Sequence, residues 1–474
     1  MRFILLLIIS ISSLQLCYSQ KNIKPDRLIE DFDYAVQELH AQHQGFYHYL
    51  SKPETDTEIT KLRNTLTEPK TKLEFYQTIR KLVALMNEGH GSVKLPKSTM
   101  TKVGLSKSFL PIALKYIEGK WIVTQNFGED IPALKKGMRI VSINNVAMED
   151  AFQKLASLIA TDGFNTTSQY RWMGGLNFSL LYRLVYGASQ NFTLEVVERG
   201  TSETKTIQIP AVKFTTFKSK TAKYQSWKFD YTKFLFKQIN DSVAYLSIPS
   251  FSAGEIDYEA FYKKQFHAID SLNIKHLIID IQANTGGEEG NENLLFSYLT
   301  EKRIRKYTRA TMLPGPFQKR LNHKSIKADK WAMKDSLAER GEYTLYSDYY
   351  SDLGYLPPKL EHIYKHKVYV LISGLTFSGG AEFASMIKMT DRGIFIGQET
   401  GGTYDGNVSS FNETVKLPHT KIKINIPIVH YQMHVKPSEI GRGIIPGHHV
   451  PQTWADYLNK KNTKLEYVLR LIAG

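Results

Sequence analysis

The sequence predicts an α/β protein, and three segments in its C-terminal half carry that prediction. Each is a short apolar, β-branched run of the length of a buried strand, followed by glycine and then by a helical pattern. The three runs cover residues 243–248, 275–281 and 368–372. Strands that alternate with amphipathic helices are typical of a parallel sheet with helices on its faces. The length of 474 residues allows about three domains.

Residues 1–19 have the pattern of a secretory signal peptide. One arginine precedes an apolar run over 3–11, and small residues stand before a cleavage point after Ser19. Acylation of Cys17 as a lipoprotein is the alternative, which the large Leu16 disfavours. No other apolar run approaches the roughly 18 residues of a membrane span. We therefore expect an exported chain, periplasmic or extracellular, without a membrane span.

Composition excludes several classes of site. Cys17 is the only cysteine, so the mature chain has no disulfide, catalytic thiol or thiolate metal site. We expect neither a metal nor a cofactor, and no glycine-rich nucleotide motif is present. The net charge is +15, and lysines interleave with aromatic residues over 213–237. Such a pattern can bind nucleic acid, but in an exported protein we interpret it, and the basic patch at 302–306, as solvated surface.

Residues 22–100 are predicted to form a helical module. Apolar residues recur at helical spacing over 27–39 and 73–86. The second helix is predicted to stop at 87–89, and a short strand follows. His90 lies between two glycines at this turn, where a histidine faces either a cleft or ordinary solvent.

Residues 104–212 form a second predicted unit. Its predicted elements are strands at 110–116 and 121–125, a turn, strand, turn and helix over 137–159, and a strand at 192–197. This order resembles a PDZ domain, which adds an extended peptide or its terminal carboxylate to a sheet edge. An ordinary small α+β domain is the alternative. The insertion at 161–190 has no evident role.

Residues 235–474 contain two glycine-rich turns that point to chemistry. Gly286 and Gly287 follow a buried strand, at the edge where α/β sheets bind ligands, and can direct free amide N–H groups into a site. Ser378 lies between a strand and a helix in the turn 376–380, which is the arrangement of a nucleophile elbow. Alone, this second signal is weak, because most such turns are structural.

The remainder of this unit has a less specific pattern. Residues 305–357 are polar, aromatic and irregular, which predicts a lid or insertion. The other predicted elements are a strand at 393–397, a hairpin at 409–417 and 422–427, and a closing helix at 454–471.

Five motifs occur in order along the chain: LMNEGHGSV, DIQANTGG, TFSGGAE, GQETGG and GRGIIPG. Together they resemble the motifs of the C-terminal-processing (tail-specific) serine proteases, in the branch with the tricorn core and the interphotoreceptor retinoid-binding proteins. The resemblance covers nearly the whole mature chain. It implies a Clp-protease/crotonase-like α/β spiral for 235–474, preceded by the helical module and the PDZ-like domain.

The resemblance also implies roles for single residues. Ser378 matches the nucleophile and His90 its general base, while Gly287 and Gly379 match the oxyanion amides. Family members that use a Ser-Lys dyad carry the lysine about 25 positions after the serine. In this sequence that position is Thr403. A histidine-based site is therefore favoured.

The acid partner of the histidine is the least defined of these roles. Glu439 is the nearest match to the family's glutamate, and Glu399 or Asp405 could serve instead, since the imidazole requires only an acceptor within hydrogen-bond reach. Two departures from the family pattern are Gln282 in place of arginine and Gly447 in place of aspartate.

The implied function is that of an exported serine endopeptidase, which hydrolyses peptide bonds through a Ser-His-Glu site and an acyl-enzyme, with the polypeptide presented by the PDZ-like domain. The alternative is a non-catalytic protein that binds peptides or apolar ligands on the same fold. An esterase would differ only in its leaving group.

Overall fold

A computed structural model describes residues 22–128, 131–217, 229–313, 331–337, 342–347, 355–437 and 439–474. The predicted signal peptide with Cys17 lies outside these residues, as do 218–228 of the basic segment and parts of the predicted lid. None of the described helices is both long and apolar enough to cross a bilayer.

The N-terminal segment contains the two helices predicted from the sequence and two that were not predicted. Its elements are α1 (Pro25–Gln42), α2 (Lys52–Arg63), α3 (Lys72–Ala84), β1 (Ser92–Lys94) and α4 (Lys97–Leu105). Of the two unpredicted helices, α2 fully buries only Thr55 and packs Ile59 and Leu62 against the core, and two apolar residues are too few to give a helical pattern in the sequence. Helix α3 begins with a reciprocal capping box between Thr71 and Glu74, which satisfies two free N–H groups of its first turn.

The second unit is an antiparallel sheet with helices. Its elements are β2 (Ile112–Ile117), β3 (Lys120–Asn126), β4 (Arg139–Ile143), β5 (Val146–Ala147), α5 (Met148–Ala156), α6 (Thr167–Met173), α7 (Asn177–Tyr186), β6 (Asn191–Val197) and β7 (Thr204–Pro210). The strand order is β2-β3-β4-β6-β7, with β5 paired to β4. The predicted turn at Asn144 and Asn145 has positive φ at both residues, which asparagine tolerates. The insertion forms α6 and α7, and Phe178 and Leu181 of α7 enter the core of the unit.

The C-terminal unit contains the remaining elements. They are β8 (Leu235–Gln238), β9 (Val243–Ser247), α8 (Tyr258–Ser271), β10 (His276–Asp280), α9 (Asn291–Ser297), β11 (Ile304–Arg305), β12 (Tyr307–Met312), β13 (Trp331–Leu337), β14 (Glu342–Ser347), β15 (Tyr355–Leu356), β16 (Lys367–Ile372), α10 (Gly379–Met389), β17 (Ile394–Gly397), β18 (Gly406–Lys416), β19 (Lys423–Met433), β20 (His448–His449), α11 (Trp454–Leu458) and α12 (Thr463–Ala473).

A mainly parallel sheet confirms the predicted α/β class. Its order is β20-β17-β16-β10-β9-β8, and only the edge strand β8 runs antiparallel. The three apolar runs of the sequence are its neighbouring strands β9, β10 and β16. Their side chains are almost fully buried, as expected for strands with helices on both faces. The carboxyl ends of β10 and β16 therefore lie side by side, each followed by one of the glycine-rich turns.

A second sheet joins the helical module to the C-terminal unit. Its order is β1-β19-β12-β14-β13, with β18 also paired to β19. Strand β1 follows His90 directly, and its pairing with β19 sets Ser92 opposite Asn425. This pairing brings the histidine turn of the first module to the C-terminal unit.

Two predictions of secondary structure were wrong: the irregular backbone at 305–357 and the single closing helix at 454–471. The described parts of 305–357 are strands β11 to β15, because pairing with β19 and with one another satisfies a backbone whose side-chain pattern is too polar to reveal strands. The closing helix is two helices, α11 and α12. Lys460 has a φ of +57° between them, and the Asn462 side chain accepts a hydrogen bond from the Leu465 N–H to start α12.

Candidate active site

Ser378 occupies a strained elbow between β16 and α10, as its sequence context predicts. Its φ is +51° and its ψ −129°, a region that non-glycine residues rarely adopt. Hydrogen bonds to the neighbouring strand end hold the turn, from Thr376 Oγ1 to the Ile281 carbonyl (2.9 Å) and from Phe377 N to the Asn284 carbonyl (3.0 Å). Such a turn presents a serine hydroxyl at the end of a sheet, beside the N–H groups of the following helix.

Two amide N–H groups meet beside this elbow. A Cβ placed on Gly379 would lie 3.7 Å from the Gly287 nitrogen, and one placed on Gly286 would lie 2.6 Å from Ser378 Cβ, so the close approach of the two turns requires glycine. Among the described residues, nothing accepts a hydrogen bond from Gly287 N–H or Gly379 N–H. Two free donors beside a serine are the arrangement that an oxyanion hole requires.

His90 reaches the same site from the helical module. Its imidazole stacks on the Phe377 ring with centroids 4.6 Å apart, and Phe377 directly precedes Ser378. The ring is 17% exposed, and its Nδ1 lies 2.8 Å from Glu88 Oε1. Within the described part of the chain the buried Nε2 has no hydrogen-bond partner, so Ser378 and His90 are neighbours that are not hydrogen-bonded in this conformation.

Two buried carboxyl groups lie beside the imidazole. Glu88 and Asp162 are 1% and 0% exposed, and Asp162 Oδ1 lies 3.9 Å from His90 Nδ1. Backbone N–H groups hold both acids, since Val408 N donates to Glu88 Oε2 (2.7 Å) and Gly89 N donates to Asp162 Oδ1 (2.7 Å). The histidine turn therefore carries its own acid, and the insertion of the second unit supplies another.

Burial controls the ionisation of this group. It raises the pKa of Glu88 to about 7, although the hydrogen bond from Asp162 opposes the shift. Burial, and then the charge of Glu88, raise the pKa of Asp162 well above its usual value. Burial lowers the pKa of His90, while Asp162 and Glu382 oppose that shift. At neutral pH the two acids thus share at least one proton beside a neutral imidazole.

The structure does not bring Glu439 to His90. The Glu439 side chain is 65% exposed and pairs with Arg442 at 3.4 Å. Of the two competing acids, Glu399 also pairs with Arg442 (2.9 Å), and Asp405 lies 3.5 Å from His48. These acids have partners elsewhere, whereas Glu88 is held at the imidazole by its own turn.

Glu88 and Asp162 are the functional candidates that the sequence did not reveal. Glu88 had one available signal, its place two residues before His90 in the same turn. Asp162 had none, because it comes from the insertion of another unit. Hydrogen bonds from Gly163 N to the Asn87 carbonyl (2.8 Å) and from Asn165 Nδ2 to the Gly401 carbonyl (3.1 Å) hold it there.

A buried charge network supports α10 from below. Lys306 Nζ contacts Glu382 (2.7 Å), Glu292 (2.8 Å) and Glu289 (3.3 Å), and Tyr307 donates to Glu382 (2.6 Å). Glu382 lies in the first turn after Ser378, and the charge of Lys306 keeps its pKa low despite burial. Glu382 is therefore a structural acceptor.

Two clusters in the described part of the chain have the residue types of a metal site. Glu88, His90 and Asp162 form one, and the three glutamates around Lys306 form the other. In the second cluster the lysine ammonium already supplies the positive charge. In the first, the closest pair, Glu88 and His90, is at hydrogen-bond distance, which is the contact that a catalytic histidine requires.

Lys306→Met should destabilise the protein by about 4 kcal/mol, because removing one member of a buried ion network leaves the glutamates uncompensated. Urea unfolding at neutral pH measures the loss. Lys302→Met, at an exposed lysine of the same segment, is the matched control and should leave stability unchanged. Equal stability of the two variants would contradict the structural role given to Lys306.

A cavity of about 340 Å³ opens beside the imidazole. Gly89 and Gly91, which flank His90, form one side, and Phe377 and Trp172 form another. Arg80 is the one charged residue among the residues that line it. The cavity lies where the helical module, the second unit and the Ser378 turn meet, which is a common position for a substrate site.

Comparison with known proteins gives a family for the C-terminal unit. Residues 242–450 match the model of peptidase family S41. This segment contains Ser378 and both oxyanion candidates, and it excludes His90. No curated protein sequence matches the chain.

Solved structures extend the similarity of fold to nearly the whole chain. Mature CPAF is 15% identical, with 94% of this chain and 96% of that chain covered and a TM-score of 0.62. Its complex with lactacystin gives 15% identity, 94% and 97% coverage and a TM-score of 0.64. The photosystem II D1 C-terminal processing protease is 15% identical, covering 94% and 97%, with a TM-score of 0.44. The CPAF fold thus includes the helical module and the second unit.

Proposed function

We propose that this chain, which matches the model of peptidase family S41 over residues 242–450, is an exported serine endopeptidase that cleaves polypeptides through Ser378 and His90. The observation that carries the proposal is the convergence of a strained serine elbow, two free amide N–H groups and a histidine from a separate module. A chain that only bound ligands would have no need for all three at one point.

Each group has one role in the proposed reaction. Ser378 Oγ attacks the peptide carbonyl, and His90 Nε2 accepts the hydroxyl proton and returns it to the leaving amine. The N–H groups of Gly287 and Gly379 bind the oxyanion, and each such donor contributes about 3 kcal/mol in comparable sites. Water, deprotonated by the same histidine, then hydrolyses the acyl-enzyme.

Glu88 takes the role that the sequence assigned to Glu439. Its carboxylate accepts a hydrogen bond from the His90 Nδ1–H at 2.8 Å, which fixes the tautomer with Nε2 free to accept a proton from Ser378. Asp162, whose pKa burial raises, stays neutral and donates a hydrogen bond to Glu88. The neutral Asp162 therefore helps to keep Glu88 ionised inside the protein.

Catalysis requires a small closure of the site. The free Nε2 of His90 must come within hydrogen-bond distance of Ser378 Oγ, and catalytic hydrogen bonds often tighten only when substrate binds. The 340 Å³ cavity between the modules offers a place for a peptide side chain next to His90. Filling it would draw the three units together around the scissile bond.

Export and peptide presentation belong to the same proposal. The signal-peptide pattern of residues 1–19 supports export to the periplasm or the medium. The antiparallel sheet of the second unit has edge strands that can receive an extended peptide, and its insertion reaches the active site through Asp162. A polypeptide bound at this sheet would be close to Ser378.

Activity should rise with pH through about 7. The His90 partner is the ionised form of Glu88, and burial raises the pKa of that acid to about 7, so the carboxylate is formed only above this pH. The pH profile of kcat/KM for a peptide substrate measures it. Asp162→Asn, which retains a neutral donor, should leave the profile in place. Asp162→Ala removes a hydrogen bond that lowers the Glu88 pKa and should move the rise to higher pH.

Casein and a p-nitrophenyl ester together test the reaction class. An endopeptidase releases peptides from casein, and an esterase turns over the ester alone. Folded protein that hydrolyses neither substrate and does not react with a fluorophosphonate would favour the non-catalytic binding protein.

A further inference from the structure

A second cavity, of about 310 Å³, lies between the second unit and the C-terminal unit. Lys115 of β2 and Arg171 of α6 line it from one side, and Gln282 and Gln452 line it from the other. Lys464 of α12 lies behind Gln282 and is 2% exposed. Two basic side chains therefore line this cavity, and a third lies behind its wall.

Each of these cations is bonded to a neutral amide and not to an acid. Lys115 Nζ donates to Gln452 Oε1 (2.6 Å), Arg171 Nη2 to Gln398 Oε1 (2.9 Å) and Lys464 Nζ to Gln282 Oε1 (2.9 Å). None of these three acceptors is a carboxylate oxygen. Within the described ranges, no Asp or Glu oxygen lies within 4.0 Å of any of the three cations.

The nearest acid is already used by other groups. Asp280 accepts hydrogen bonds from Tyr245, Gln282 and Asn462, each at 2.9 Å. Burial, followed by repulsion from Arg171 and Lys464, lowers the pKa of Lys115 well below its usual value. Burial and Arg171 lower the pKa of Lys464 to about 7, although the charge of Asp280 opposes the shift. Buried charges are normally paired, and here Asp280 acts on Lys464 at a distance while none of the three basic groups has a carboxylate bonded to it.

We propose that this cavity is a binding site for a phosphate-type oxyanion, held by Lys115 and Arg171 with Lys464 as the charge behind them. Three cations complement a dianion better than the single charge of a carboxylate, and arginine and lysine are the usual donors to phosphate. The rings of Tyr170, Phe229 and Tyr457 complete the lining. Lys115 Nζ lies 4.7 Å from the centroid of the Tyr457 ring, so an apolar group attached to a bound phosphate, as in a phosphate monoester, would meet aromatic surface beside the cation.

Such an anion would join two units of the protein. Lys115 and Arg171 belong to the second unit, while Ser373 and Leu375 on the opposite side of the cavity lead into the Ser378 turn. Ser373 Oγ donates to the Gln282 carbonyl (2.6 Å) and accepts from Leu375 N (3.1 Å). The bound anion would therefore hold the second unit against the segment that positions the nucleophile.

Calorimetric titration of the full chain with inorganic phosphate, phenyl phosphate and acetate, at equal ionic strength in chloride, tests the site. We expect both phosphates to bind and to raise Tm, and acetate to bind more weakly. Lys115→Gln and Arg171→Gln should each weaken phosphate binding about tenfold or more, since each removes a charged hydrogen bond. Lys120→Gln, at an exposed lysine on the adjacent strand, makes the same change of net charge and should bind as the wild type does.

The outcomes separate the possibilities. Equal binding of both phosphates indicates a site for the free ion, and tighter binding of phenyl phosphate indicates one for an ester. Without phosphate, both cavity variants should be at least as stable as the wild type, because each relieves repulsion between buried cations. Wild-type protein that responds to phosphate no more than to chloride, or binding unchanged in both cavity variants, would overturn the proposal. None of these readouts depends on peptidase activity.

Discussion

Ser378→Ala is expected to lower kcat/KM for a peptide substrate by a factor on the order of 10⁶, the loss that removal of a serine nucleophile causes in comparable enzymes. The hydroxyl is the only group in the proposed site that forms a covalent bond to the substrate. Ser378 is half-buried just before α10, so we expect its replacement by the smaller alanine to leave the fold intact. Progress curves on a peptide substrate, with circular dichroism as a check of folding, measure the effect.

The matched control for this prediction is Ser385→Ala. Ser385 lies further along the same helix, where its hydroxyl donates to the Tyr404 carbonyl (3.2 Å). Its replacement should cost about 1 kcal/mol of stability and leave kcat/KM unchanged. Labelling by a fluorophosphonate should disappear in Ser378→Ala and persist in Ser385→Ala. Labelling that survives in Ser378→Ala would show that another residue is the nucleophile.

Glu88→Gln is expected to lower kcat by a factor on the order of 10⁴, as loss of the histidine-orienting acid does in a comparable triad. A glutamine can donate to Nδ1 and so stabilise the wrong imidazole tautomer, and it cannot stabilise the imidazolium that forms when His90 accepts a proton. Glu439→Gln should have no measurable effect, because Glu439 is exposed and paired with Arg442. Each variant replaces one carboxylate oxygen by an amide NH2 group, and the two are compared under identical conditions.

The reverse result would favour Glu439 as the acid partner of His90. If Glu439→Gln abolished activity while Glu88→Gln retained it, the closed, substrate-bound site would have exchanged one acid for the other. The pH profile provides an independent check. Glu88, whose pKa burial raises to about 7, predicts a rise near that pH, whereas with an exposed glutamate as partner the rise would follow the His90 imidazole, whose pKa burial lowers.

The reliable sequence predictions concern features encoded within a few neighbouring residues. The strand, turn and helix around Ser378 and the strand before Gly286 both fold as predicted, because apolar runs of strand length and glycines in tight turns act locally. Helices α1 and α3 follow from their apolar spacing in the same way. The elbow conformation of Ser378 is a property of its own turn.

The failures concern segments whose structure depends on distant partners. The described strands within 305–357 form because β12 pairs with β19 and the others pair with β12 or with one another. Helix α2 has only two apolar side chains packed on the core, Ile59 and Leu62, which give no helical pattern in the sequence. Glu439 matched a family position by its place in the chain, but its side chain pairs with Arg442 on the surface. Sequence order does not specify which of several acids reaches an imidazole.

By itself the sequence determined the α/β class, the serine elbow, the glycine turns and the turn that carries His90, because each depends on residues within one strand, helix or loop. Only the tertiary structure decided which groups meet. It brings His90 to Phe377, buries Glu88 and Asp162 beside the imidazole, and gathers Lys115, Arg171 and Lys464 around one cavity. The reason is physical: burial and the approach of distant charges set the pKa and the partner of a side chain, and both arise only when the chain folds.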